Sequence, residues 1–229
     1  MKLEPLGDSA VVATLGSAID DATLASVLSL SEAILAEGKP GVTDVVPAYV
    51  SVTAFYDPEQ FSQAPGDAYG EVCRFLESCA GKAAAGAPAH RSRHVEIPVC
   101  YAGDFAPDMG VVAAHSGLTT AEVIEMHSGA EYRVHAIGFT PGFPYLGGLP
   151  ERLRTPRRDT PRAHVPAGSV AIGGLQTGVY PVDSPGGWQI IGRTHTALFR
   201  PLKKPASLLR PGDTVRFTQI TVEEFKAWR

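Results

Sequence analysis

Apolar positions follow a helical spacing in parts of the first third of the chain and a strand spacing, broken by turns, over much of the rest. Leu24, Val27, Leu28, Leu30, Ile34 and Leu35 supply the apolar face of a helix from Ala22 to about Ala36. Asp20 or Asp21 is placed to cap it, and Gly38 ends it. Ser9 to Leu15, Thr43 to Val46 and Val50 to Phe55 are short β-branched runs that predict strands, with Asp57-Pro58 stopping the last. A second helix is expected from Asp67 to about Lys82 with Val72, Phe75 and Leu76 inward, followed by a strand from Val95 to Cys100. The order β-α-β-β-α-β is that of a ferredoxin-like unit, unless the last strand belongs to the next domain.

Lys82 to Arg93 reads KAAAGAPAHRSR, which breaks the apolar pattern and marks a linker. We therefore expect an N-terminal α+β domain over residues 1–88 and a mainly β domain over 89–229. Pro88 argues against a helix that would bring His90 and His94 together, so they read as solvated rather than as metal ligands. Pro107 to His115 and Thr119 to His127 predict short helices, the second opened by a Thr119–Glu122 capping box. His115 and His127 fall near helix C-termini, where the dipole favours a positive imidazole. Tyr132 to Ile137, Ala197 to Arg200 and Val215 to Ile220 predict strands, and Thr221 with Glu224 caps a final helix carrying Phe225 and Trp228. His135 reads as a satisfied barrel histidine.

Composition alters the picture most between residues 138 and 194. Eleven of the 24 glycines and eight of the 19 prolines lie there. Thr140-Pro141-Gly142-Phe143 and Ser184-Pro185-Gly186-Gly187 both fit a type II turn. The stretch carries Arg152, Arg154, Arg157, Arg158, Arg162 and Arg193 against Glu151, Asp159 and Asp183, a balance of +3 in a chain of net charge −4. Arginine presents a planar fork of donors suited to carboxylate or phosphate, and Pro156, Pro161 and Pro166 stiffen the loop that bears most of them. An anion site, a partner surface and a merely solvated charge run are the three readings of this balance.

The strings GFTPGFPYLGGL, VPAGSVAIGG, QTGVYP and SPGGWQIIGRT resemble those of the 5-oxoprolinase B-subunit family, which includes the kinase inhibitor KipI and chains labelled allophanate hydrolase subunit 1. The likeness continues through EIPVCYAGDFAPDM, GLTTAEVIEMH and YRVHAIGF and reaches GDSAVVATLG near the N-terminus. Tyr101-Ala102-Gly103 departs from the family's more usual Tyr-Gly-Gly. The resemblance implies a cyclophilin-like β-barrel for the second domain. It further implies one member of a complex with subunits A and C that opens 5-oxo-L-proline to L-glutamate with ATP. The alternative it offers is inhibition of a sensor histidine kinase. A prolyl isomerase would follow from fold analogy alone, and fold does not fix function.

The remaining features narrow the classes. A pI near 6.0 argues against nucleic acid. No apolar run approaches bilayer length and the start lacks a secretory pattern, so a cytoplasmic protein away from membranes is expected. Cys73, Cys79 and Cys100 form no CxxC pair and suit a reducing compartment. There is no GxxxxGK[ST], GxGxxG or GxSxG, and no histidine–carboxylate cluster for a metal. The residues alone favour a binding module or part of a composite enzyme. If phosphate charge develops on a substrate, Arg157 and Arg162 are the first catalytic candidates and Arg193 the third. Tyr145, Gln176 and Thr194 could orient a small polar substrate, and Gly142, Gly186 and Gly187 could offer backbone N–H groups. For these residues turn geometry and core packing are the competing readings, packing being favoured for Trp188.

Overall fold

The computed structural model describes residues 1–61, 68–84 and 92–228. Asp67, residues 85–91 with His90, and the expected 88/89 boundary lie outside the described residues. The chain divides into two compact units, residues 1–91 and 92–229.

The first unit contains β1 (Lys2–Pro5), β2 (Ala10–Thr14), α1 (Asp21–Glu37), β3 (Val42–Ala48), β4 (Ser51–Tyr56) and α2 (Ala68–Ala84). Its sheet runs β1-β2-β4-β3, antiparallel throughout. Local chemistry sets α1: the Asp20 Oδ1 accepts from the Thr23 N–H at 2.7 Å, and Gly38, left-handed at φ 55°, donates its N–H to the Ile34 oxygen. The face differs in detail from the expected one, since Ser31 is buried and Leu35 is 61% exposed. Val27, Leu30 and Ile34 of α1 and Val72, Leu76 and Cys79 of α2 close over the sheet. The sixth element of the expected ferredoxin-like order is absent from this sheet. The strand at 94–100 pairs in the barrel of the second unit, and the edge beside β2 is taken by β1. β1 reads Lys-Leu-Glu-Pro and is mostly exposed, with only Leu3 turned to the core, which is too short a pattern to read as a strand.

The second unit is organised around a closed barrel. Its strands are β5 (His94–Cys100), β6 (Glu131–Ile137), β7 (Pro144–Gly147), β9 (Ser169–Gly173), β10 (Gln176–Val179), β12 (Gln189–Arg193) and β13 (Thr214–Ile220). Around the barrel the order is β10-β7-β6-β13-β5-β12-β9. Closure rests on a parallel pair, β5 against β13, in register from His94–Thr214 to Cys100–Ile220. β8 (Arg162–Val165) and β11 (Ser184–Gly186) form a separate ribbon. The helices are α3 (Met109–Ser116), α4 (Thr120–Gly129) and α5 (Val222–Ala227), and capping boxes open α4 and α5. Ala197 to Arg200, expected as a strand, makes only an isolated bridge between Phe199 and Ser207.

The two expected turns part company. Thr140 to Phe143 is the type II turn: the Phe143 N–H reaches the Thr140 oxygen at 3.0 Å and Gly142 has φ 81°. Ser184 to Gly186 is extended instead and pairs with β8. Gly186 is glycine because a Cβ there would run into the Tyr180 side chain.

Candidate functional site

Asp108 stands at the head of α3 but does not cap it with its side chain. Its Oδ2 accepts from the Ile190 N–H at 2.7 Å, while its own N–H donates to the Ile190 oxygen at 2.9 Å, which fastens the start of α3 to β12. Its Oδ1 accepts from Arg162 Nη2 at 2.7 Å and from Arg158 Nη1 at 3.4 Å. Asp108 is 3% exposed, and a carboxylate so buried is stable only with such cations and donors around it.

The segment from Thr155 to Arg162 is held against the chain beyond β11. The Arg158 N–H donates to the Gly187 oxygen at 2.7 Å, and Gln189 Nε2 donates to the Pro156 oxygen at 3.0 Å. These bonds carry Arg157 over the Trp188 ring, with the guanidinium carbon 5.7 Å from its centroid, a cation–π distance. Beneath lies a cavity of about 300 Å³ lined by Phe139, Phe143, Tyr145, Arg157, Arg158, Pro161, Tyr180, Pro185, Gly186, Gly187 and Trp188. Phe143 is the hub of its wall, with Tyr145, Tyr180 and Trp188 ring centroids at 5.1, 5.2 and 5.5 Å, all edge to face. The tight turn puts Phe139 at φ 68° and leaves it 62% exposed beside Phe143. Burial pushes the Tyr180 hydroxyl above the ordinary phenol range, partly offset by the Trp188 N–H and the charges of Arg157 and Arg162, so it stays protonated near neutrality. The lining residues include two guanidiniums and no carboxylate.

Comparison with known proteins gives the family of the chain. Residues 1–209 match the family described as carboxyltransferase domain, subdomain C and D. A Bacillus subtilis protein named as the B subunit of 5-oxoprolinase is 42% identical over 232 aligned residues, covering 100% of this chain and 96% of that one. The chain belongs to the 5-oxoprolinase B-subunit family. An Escherichia coli relative of the same name is 45% identical over 93% of both chains. Among solved structures, TTHA0988 superposes with a TM-score of 0.78 and 39% identity over 92% of this chain, which spans 40% of that longer protein.

In this family member the cavity gathers Arg157, Tyr145, Gly186 and Gly187 of the candidates. Arg162 lies outside its lining, bound to Asp108 and paired across the ribbon with Gly186. Arg193 donates Nε to the Ala167 oxygen at 3.1 Å, and Gln176 starts β10. The Thr194 hydroxyl accepts from the Thr196 N–H at 3.0 Å, closing a local turn. Gly142 gives its turn a positive φ and its backbone lies close to residues 198–199, where a Cβ would meet the Phe199 Cβ at 2.9 Å. Arg193, Gln176, Thr194 and Gly142 do not line the cavity. Asp108, Phe143 and Tyr180 complete the site, although no sequence signal singled them out. An acid at the head of a helix reads as a cap, and nothing local pairs it with arginines 50 and 54 residues away.

His127 corrects another expectation. It is not a positive imidazole at a helix end but a fully buried neutral one, its pKa pushed down to about 3 by burial. The Thr177 hydroxyl donates to the Ala171 oxygen at 3.0 Å, so it accepts from His127 Nε2–H at 2.9 Å. His127 Nδ1 then accepts from the Tyr101 hydroxyl at 2.8 Å. The Tyr132 hydroxyl donates to the His127 backbone oxygen at 2.8 Å, and the imidazole stacks on Phe217 with centroids 4.7 Å apart.

Proposed function

We propose that the chain is the B subunit of an ATP-dependent 5-oxoprolinase, which opens 5-oxo-L-proline to L-glutamate together with subunits A and C. The observation that carries the reading is the near full-length likeness to chains of that name, 42% identical across the whole of this one. The cavity adds to it, with two guanidiniums above an aromatic wall in a space suited to a small anionic substrate.

Opening an unstrained lactam is uphill, and ATP supplies the drive. Transfer of the γ-phosphoryl group to the lactam oxygen releases ADP and activates the ring carbon. Water adds there, the C–N bond breaks to give an acyl phosphate, and a second water releases phosphate and L-glutamate. Guanidiniums beside the reacting carbon would stabilise the charge that gathers on these oxygens. Arg157 and Arg158 line the cavity and are the candidates for that role, and Arg162 shares the Asp108 carboxylate with Arg158. The chain has no phosphate-cradling glycine loop with its lysine, which favours shared handling of ATP by the assembled complex.

The C-subunit homologue is the expected direct partner, meeting this barrel with its own. The closed barrel is compatible with the cyclophilin-like assignment. The three cysteines are free and, among the described residues, no helix is long and apolar enough to cross a membrane, which supports a cytoplasmic location. The test is glutamate release and ADP formation with purified A, B and C homologues, each omitted in turn. Only the full mixture should be active. Equal activity without this chain would discard the reading and bring the inhibition of a histidine kinase forward.

A further inference from the structure

We propose that two copies of this chain pair through a knob and a recess: the hairpin tip that carries Leu202 on one copy enters the apolar recess between α1 and α2 of the other. The inference concerns self-assembly and does not depend on the proposed activity.

The knob is a short hairpin of the second unit. The Leu208 N–H donates to the Leu198 oxygen and the Arg200 N–H to the Ala206 oxygen, both at 2.7 Å, with the Phe199–Ser207 bridge between them. The Lys203 N–H closes the tip on the Arg200 oxygen at 2.9 Å, and Pro201 and Pro205 restrict the backbone on either side. At this tip Leu202 is 100% exposed. Arg200, Lys203 and Lys204 flank it in the chain, and no acid occurs between Asp183 and Asp213. One exposed leucine needs no explanation by itself. A leucine held out on a braced tip among cations offers an apolar contact that loses little entropy on docking.

The recess belongs to the first unit. It is a cavity of about 310 Å³ lined by Leu15, Ala25 and Leu30 on one side and by Ala80, Ala83 and Ala84 on the other. No charged side chain lines it, and Ser26, at its edge, already donates its hydroxyl to the Ala22 oxygen at 3.0 Å. Asp21 and Glu32 stand four residues before and seven after Ala25 on α1, and Glu77 stands three before Ala80 on α2, so acids share the helix faces that border the recess. Lys82, a cation of the same end of α2, is paired with Glu37 at 2.6 Å. The same complementarity holds for the units as wholes. Residues 1–91 carry twelve acids against five lysines and arginines, and residues 92–229 carry twelve acids against fifteen. A basic tip with an apolar end and an apolar recess with an acidic border match one another in shape and charge, which selects a second copy as the occupant. A twofold pair makes the contact twice and closes, with no knob or recess left over.

Sedimentation equilibrium of the full-length chain, at concentrations up to about 100 μM, tests the pairing. A dimer should form at low salt and weaken at about 1 M salt, where the screening length falls to about 3 Å. Leu202→Ala should weaken it by about tenfold or more through lost apolar contact. Leu202→Asp, which sets a carboxylate against the acidic border, and Ala25→Arg, which fills the recess mouth with a cation facing the lysines, should each leave monomers. Leu202 and Ala25 are exposed, so all three variants should keep the wild-type denaturant midpoint. The deciding measurement is a mixture. Leu202→Asp has a spoiled knob and an intact recess, and Ala25→Arg has the reverse, so the two together should form a heterodimer although neither dimerises alone. A monomer at every concentration, a dimer that survives Leu202→Asp and Ala25→Arg, or a mixture of the two that stays monomeric would each overturn the proposal.

Discussion

His127 and Asp108 are both buried ionisable groups of the second unit, 0% and 3% exposed, and their surroundings differ in kind. Around His127 every partner is neutral: the Tyr101 hydroxyl on one ring nitrogen, the Thr177 hydroxyl on the other, and Phe217 against the face. Donors and acceptors match one for one, and burial of the neutral imidazole needs no counter-charge. Asp108 remains an acceptor of charged donors, and its two arginines extend from it toward the surface with side chains 35% and 24% exposed. Two buried guanidine nitrogens, Arg158 Nε and Arg162 Nη1, have no partner among the described residues. A network that closes on itself stabilises a fold, whereas one with spare donors beside an aromatic cavity has something left for a ligand.

The largest effect expected from this contrast is on acid stability. The folded His127 pKa of about 3 lies below the ordinary value of 6.5, so between those pH values the unfolded chain binds the proton and the folded chain does not. Stability therefore falls as pH drops from 6.5 toward 3 and levels below that, a loss on the order of 5 kcal/mol in total from this group. Urea titrations at several pH values should show this slope, and His127→Phe should remove it. An unchanged slope in the variant would mean that other groups dominate acid unfolding.

Truncation comes next. His127→Ala empties a core position and leaves the Tyr101 and Thr177 hydroxyls short of a partner, so it should cost about 3 kcal/mol at pH 7 in denaturant unfolding. A cost below about 1 kcal/mol would show that the network is slack. Asp108→Asn keeps the volume and an acceptor for the Ile190 N–H but removes the charge facing Arg158 and Arg162. The ion pairs are partly exposed, so a smaller loss of about 1–2 kcal/mol is expected. It should be accompanied by a fall in activity of the assembled complex beyond what the folded fraction explains.

The smallest stability effect and the sharpest contrast belong to Arg157→Ala. Arg157 is exposed and stacks over Trp188, so its loss should change stability by no more than about 0.5 kcal/mol. The same variant should lower kcat/KM in the complex by roughly 30-fold, equivalent to about 2 kcal/mol of transition-state binding. A melting shift as large as that of His127→Ala would erase the distinction between the two clusters.

Local chemistry made part of this legible. Asp20, Gly38 and the Thr119–Glu122 and Thr221–Glu224 boxes act within a few residues of themselves, and the structure forms those helix ends as their sequence implies. The turn at Pro141-Gly142 is likewise a local property of two residues. The motifs between Gly138 and Thr194 were enough to point to the family, and Arg157, Tyr145, Gly186 and Gly187 among them converge on one cavity. Long-range pairing decided the rest. The strand from His94 to Cys100 fits either unit by its own pattern and joins the barrel because β13 offers it a full parallel partner. Gly186 is extended because β8 pairs with it, overriding a proline–glycine turn signal. His127 is neutral because Tyr101, Thr177 and Phe217 arrive from three distant strands or strand ends to bury it, which outweighs the helix dipole. Asp108 meets its arginines across 50 and 54 residues of chain, and no local pattern encodes a contact of that span.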